Sequence, residues 1–178
     1  GFAFAAAIVY ISVSPFILQN IYGFLPQRLG LVFGINALGL VIMAQIGARL
    51  VGRVPPQTLL IGGLAASALG GLTLLGVVLS GVGLVGVLPS LFVIVASLGL
   101  IAPNATALAL ANTRTAGSAS ALLGVLQFSM GALTAPLVGL GGTTTAVPMA
   151  VTIALFGIAA LVTFIVLCRP TQLDALGK

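Results

Sequence analysis

Histidine is absent from this sequence, and one acidic residue, Asp174, stands against six basic ones. The first absence excludes an imidazole metal site and any histidine-based catalytic dyad. The second leaves a carboxylate in the C-terminal tail as the sole acid–base group of its kind. A single cysteine, Cys168, rules out an intrachain disulfide. Charged residues make up 4% of the 178 positions, against about 25% in a soluble domain. So few charges cannot cover a water-facing surface.

What fills the sequence is apolar: 60% hydrophobic residues, with a mean hydropathy of +1.34. An integral membrane protein follows, all-α and embedded over nearly its whole length, with the lipid bilayer as its first partner. The net charge of +5 is no nucleic-acid footprint, because its basic residues are scattered between and after apolar runs and form no patch. No catalytic residue, metal ligand or cofactor site is expected.

A helix needs about 20 apolar residues to cross about 30 Å of hydrocarbon. Six stretches qualify: 1–21, 30–48, 58–79, 85–111, 118–140 and 147–168. Pro55-Pro56 breaks the chain after the second, and short Gly-, Thr- or Asn-containing turns separate the others. The six form one bundle over 1–178, with no soluble domain. The first run starts at Gly1 without a charged n-region, so it reads as a span cut near its beginning, and a longer protein is expected. With alternating loops, Arg49, Arg53, Arg114, Arg169 and Lys178 fall on one side and Arg28 on the other. The positive-inside rule then puts both chain ends in the cytoplasm.

Polar residues inside spans direct attention to function. The run 88–124 stands out, because Pro103 and Asn104 place a helix breaker beside an amide deep in apolar sequence. Gln19 and Asn20, Asn36 and Gln45, Asn104, and Gln127 occupy spans one, two, four and five; spans three and six carry no amide. The order is inside, inside, outside, twice over, which predicts a three-plus-three inverted repeat with spans three and six facing lipid. No residue-level match between the halves accompanies it.

Helical spacing groups these residues. Ser90, Ser97 and Asn104 share one face of span four, and Ser120, Gln127 and Thr134 share one face of span five. Beside the latter, Gly117, Gly124 and Gly131 form a close-packing series. Ser12, Pro15, Phe16 and Gln19 line a face of span one. Phe33, Asn36, Leu40 and Met43 line a face of span two, with Gln45 pointing elsewhere. Gly62, Ala66 and Gly70 give span three a small-residue ridge. Serines, threonines and amides also serve as glue between helices, worth about 0.6 kcal/mol on average.

Four pieces carry a family resemblance: YISVSPFILQNIYGFLPQRLGLVFGINALGL, GARLVGR, SLGLIAPNATALALANTRTAGSASALLGVLQF and GALTAPLVGL. Together they resemble the C-terminal half of bicyclomycin-resistance-type (Bcr/CflA) drug:proton antiporters of the major facilitator superfamily. The resemblance implies half of a twelve-span fold, a missing N-terminal six-span half, a bacterial inner-membrane location, and export of hydrophobic or amphipathic drug-like molecules by alternating access. It makes Arg49 and Arg53 a degenerate copy of the superfamily's cytoplasmic loop motif, here without its acidic residue. It also likens Gly131–Pro136–Gly139 to the counterpart of the antiporter-motif helix. Under this reading Phe16, Gln19, Asn36, Asn104 and Gln127 are candidate substrate contacts, and Pro15, Pro103 and Pro136 are places where helices bend. No carboxylate lies in a span, so proton coupling would belong to the other half.

Other classes fare worse. Ala102-Pro103-Asn104 has the wrong residue order for a water-channel filter and has no second copy. The Gly117–Ser120 segment lacks a base within a span to activate a serine. The alternative kept open is a six-span structural or homodimeric half-transporter, paired through the glycine face of span five.

Overall fold

The computed structural model describes residues 1–21, 23, 25–111, 116–140 and 145–168, with the side chains of 26, 116, 135–140, 167 and 168 left aside. Among the described residues six helices follow the apolar runs: α1 Phe2–Asn20, α2 Pro26–Leu50, α3 Pro56–Ser80, α4 Leu84–Leu110, α5 Ala116–Leu140 and α6 Val147–Cys168. All six are long and apolar enough to cross a membrane. Helices α2 and α3 start ahead of the expected 30 and 58, each with a proline in its first turn. There the missing N–H is harmless and the fixed φ suits the helix. Helix α3 stops at Gly81, whose φ of +68° is the left-handed cap that glycine adopts without a steric penalty. Arg49 sits in the last turn of α2, where a cation complements the helix dipole, and Arg53 is exposed in the turn that follows. Arg114, Arg169, Asp174 and Lys178 lie outside the described residues.

Helix α4 packs most closely on α3 and α2, and α1 on α5 and α6, while α3 and α6 pack on each other. Exchanging α1 with α4, α2 with α5 and α3 with α6 leaves this pattern unchanged. Three helices make an odd number of crossings, so the second triplet is inverted relative to the first. The all-helical three-plus-three arrangement expected from polarity is therefore present in the packing.

A residue-level signature also emerges where α3 crosses α6. A Cβ on Gly71 would come within 2.9 Å of Ala154 Cα, and a Cβ on Gly157 within 3.1 Å of Ala68 Cα. The two contacts are reciprocal, and the segments around them read Ala68-Leu-Gly-Gly71 and Ala154-Leu-Phe-Gly157. The two segments share Ala-Leu-x-Gly at the point where the triplets cross. The expected Gly62–Ala66–Gly70 ridge needs correcting. A Cβ on Gly62 would meet nothing within 4 Å, whereas Gly63 and Gly70 face Ile101 and Ile94 of α4.

Close backbone approach also fixes α2 against α4. A Cβ on Gly99 would strike the Leu40 carbonyl and lie 2.8 Å from the Ala44 nitrogen. Lipid tails are as apolar as these side chains, so such helices associate through dense packing rather than escape from water. The largest buried cluster joins Val9, Tyr10 and Ile17 of α1 to Leu74, Leu91, Ile94, Met149 and Ile153. A smaller one, with Ala3, Leu60, Leu64 and Ile101, closes one end of the bundle.

Candidate functional site

Helix α1 has two opposed faces. Tyr10, Ser14 and Ile17 are buried, while Ser12, Phe16 and Gln19 are exposed. Helix α4 is divided in the same way. Ser90, Ser97 and Asn104 face the interior, and Pro89, Phe92 and Pro103 lie on the exposed side. Helices α3 and α6 cover one side of the α1–α4 pair, and α2 and α5 flank it. The flanks are the least buried of the six helices, α5 even less than α2.

The inward stripe of α4 satisfies itself locally. Ser90 donates to the Gly86 carbonyl at 2.9 Å, Ser97 to Ile94 at 2.7 Å, and the Asn104 amide to Leu100 at 2.7 Å. The last bond falls next to Pro103, whose missing N–H leaves the Gly99 carbonyl without its helical donor. The buried Asn104 amide thus adds a side-chain hydrogen bond to the Leu100 carbonyl, one residue beyond the orphaned one. Pro15 has the same effect in α1, on the Ile11 carbonyl. Beside it the Ser14 hydroxyl is wholly buried, with no hydrogen-bond partner among the described residues.

The five candidate contacts do not converge on one point. Asn104 follows Ile101 at the end of the bundle closed by Ala3, Leu60 and Leu64. Gln19 stands at the opposite end of α1, about 24 Å along the axis from Ala3 at 1.5 Å per residue. Phe16 and Gln19 are exposed together, Gln127 is half-buried on α5, and Asn36 is buried. Gln45 is exposed, away from the inner stripe of α2, as its register implies. Pro136 falls within α5, and its side chain lies outside the described residues.

The structure brings Asn36 to a residue that spacing alone did not single out. Its amide nitrogen donates to the Tyr10 hydroxyl at 2.6 Å, and Tyr10 stacks on Phe33 with ring centroids 5.2 Å apart. Asn36 also lines a cavity of about 210 Å³ between α2 and α4, walled by Val32, Ile35, Leu88, Pro89 and Phe92. The signal for Tyr10 was available, because a tyrosine in mid-span needs a partner for its hydroxyl, and an amide on the next helix can supply one. A second cavity of about 250 Å³, lined by residues such as Phe2, Leu64, Ala105 and Thr163, sits at the end closed by Ala3. Among the described residues no cluster could hold a metal ion.

This geometry meets an independent comparison. Over 150 residues, 84% of its length, the chain is 34% identical to YdgK, an uncharacterized MFS-type transporter of Bacillus subtilis (strain 168). The chain is thus homologous to part of a transporter of the major facilitator superfamily. It is also 27% identical over 150 residues to a bicyclomycin resistance protein homolog of Haemophilus influenzae. The matched segment spans only 37% and 38% of these two superfamily relatives. No family model matches the chain, and no solved structure does. A multi-pass membrane segment of a transporter superfamily accounts for the six apolar helices, the internal repeat and the uncharged interior alike.

Proposed function

We propose that this bundle forms one wall of the substrate cavity in a secondary transporter that exports hydrophobic or amphipathic drug-like molecules. The observation that carries the reading is the uncovered side of α1 and α4, flanked by two helices that are apolar yet largely unburied. A second six-span bundle, the N-terminal half, would cover α2 and α5 and enclose a cavity against Ser12, Phe16, Gln19, Phe92 and Pro103. Apolar walls with a few neutral polar groups suit chemically varied hydrophobic or amphipathic ligands, because a wall without fixed charge imposes few strict pairing demands. The helices near Pro15 and Pro103 have lost backbone hydrogen bonds, so they bend more readily as access alternates. The name of the Haemophilus influenzae relative supports a drug-resistance role.

Protons are the proposed counter-substrate. Their carrier would be a carboxylate in the other half, since the one acidic residue here is Asp174 in the tail. The proposed setting is the bacterial inner membrane, with Arg49, Arg53 and both chain ends on the cytoplasmic side. The test is ethidium accumulation in an efflux-deficient bacterium expressing the full-length protein. Lower accumulation, abolished by a protonophore, is expected. Accumulation equal to the empty-vector control would overturn drug export, and export untouched by the protonophore would overturn proton exchange. If the six-span chain alone exports ethidium and runs as a dimer, the homodimeric alternative replaces the two-half reading.

A further inference from the structure

The Tyr10–Asn36 pair does more than tie α1 to α2, because Asn36 also lines the cavity between α2 and α4. We propose that this cavity is a binding subsite for one apolar, ring-sized group of a neutral molecule that carries a hydroxyl, carbonyl or amide, with Asn36 as its polar contact and Tyr10 as the positioning residue. The inference deepens the exporter reading and rests on it for what the subsite serves.

Size comes first. A whole drug-sized ligand occupies roughly 300–1,000 Å³. The cavity, at about 210 Å³, takes one part of such a molecule. Its walls set the chemistry: Val32, Ile35, Leu88, Pro89 and Phe92 offer no charge and no polar side-chain atom. Asn36 is the single polar side chain in the lining, and it is only 3% exposed. The groove is open at Ile35 and Pro89 while the amide itself is buried, and a ligand lacking the matching group leaves that amide without a second partner.

The pair also explains why either ligand polarity would be accepted. A carboxamide has a donor end and an acceptor end, and a phenolic hydroxyl can both donate and accept. With Asn36 Nδ2 donating to Tyr10, the amide oxygen remains for a ligand hydroxyl or N–H. With the amide turned over, Tyr10 donates to the oxygen, and Nδ2 remains for a ligand carbonyl. Neither arrangement leaves the Asn36–Tyr10 contact unmade. Stacking on Phe33 holds the tyrosine ring in place through both.

The probes are a trifluoromethyl-diazirinyl benzyl alcohol and its toluene analogue, which lacks the oxygen. Each is photolysed with the full-length protein in lipid nanodiscs, and the labelled positions are mapped by mass spectrometry. Saturable labelling by the alcohol is expected on Val32–Asn36 and Leu88–Phe92. Asn36→Leu should cut labelling by the alcohol about 3- to 10-fold, the worth of one hydrogen bond, and leave the toluene analogue unchanged. Tyr10→Phe, which keeps the ring, should cut labelling by the alcohol to a smaller extent and again spare the analogue. Ile35→Trp, at an exposed wall position, should abolish labelling by both. A purely structural role for the pair would lower both probes equally, and that result overturns the proposal. So does labelling that never saturates, or labelling by the alcohol that ignores Asn36→Leu. If the subsite fails while ethidium export persists, the exporter reading stands without it; loss of export with intact labelling has the opposite meaning.

Discussion

Asn36 and Tyr10 are hydrogen-bonded at 2.6 Å across two helices that touch little elsewhere. Deleting either partner strands the other in a buried setting, at about 1–3 kcal/mol. Tyr10→Phe and Asn36→Leu should each lower the thermal midpoint of the protein in detergent. The double variant should lose less than the sum of the two. A coupling near 0.6 kcal/mol, and no more than about 1.7 kcal/mol, is expected for a hydrogen bond inside a membrane protein. Strict additivity in a double-mutant cycle would mean that the bond contributes nothing.

Glycines in this bundle are not equivalent. A Cβ at Gly99 would strike the α2 backbone, while one at Gly124 would meet nothing within 4 Å. Gly99→Val should therefore force α2 and α4 apart and cost about 1–3 kcal/mol, as overpacking does. Gly124→Val should sit within about 0.5 kcal/mol of the parent. Thermal unfolding of both variants, followed by circular dichroism, separates the two cases. Equal midpoints would remove the close approach of α4 to α2 from the account.

The reciprocal crossing of α3 and α6 predicts a pair of matched outcomes. Gly71→Leu and Gly157→Leu should destabilise to a similar degree, because each glycine faces an alanine backbone at about the same distance. In a Cys168→Ser background, cysteines at Ala68 and Gly157 should cross-link under mild oxidation. Cysteines at Gly62 and Gly157 should not. Gel mobility after oxidation decides it, and a cross-link in the second pair alone would contradict the register.

Asn104 and Gln19 should separate in function. Asn104→Ala removes the side chain that caps the Leu100 carbonyl, so a loss of about 1 kcal/mol in stability accompanies any loss of export. Gln19 is exposed on α1, and Gln19→Ala should lower ethidium export with no change in thermal midpoint. A stable, fully active Gln19→Ala protein would remove that residue from the cavity wall.

The number of helices was legible because only long apolar runs can cross a bilayer, and the largest shift of a start is where Pro26 extends α2 backward. The grouping of Ser90, Ser97 and Asn104 on one face was also legible. Which way that face points was not, since a seven-residue series fixes a shared direction and leaves its sense open. In the fold each of the three turns to a carbonyl of its own helix, an option that spacing does not reveal. Tyr10 is less legible, because an aromatic in a run that also holds Phe2, Phe4 and Phe16 looks like packing until a neighbouring helix offers it an amide. The Ala-Leu-x-Gly match needed the crossing itself, for four such residues are common in any membrane helix. Phe16 and Gln19 were grouped correctly by register, and their separation from Asn104 follows only once the ends of α1 and α4 are set side by side.

The crossing at Gly71 and Gly157 is isologous: each triplet presents the same patch to the other, as the subunits of a two-fold dimer do. The helices of each triplet touch one another little and pack chiefly on those of the other, so the bundle is two inverted copies interlocked. The loop between Ser80 and Leu84 then acts as a tether between two subunits in all but covalent connection. Severing that loop should leave two fragments that still find each other in a membrane.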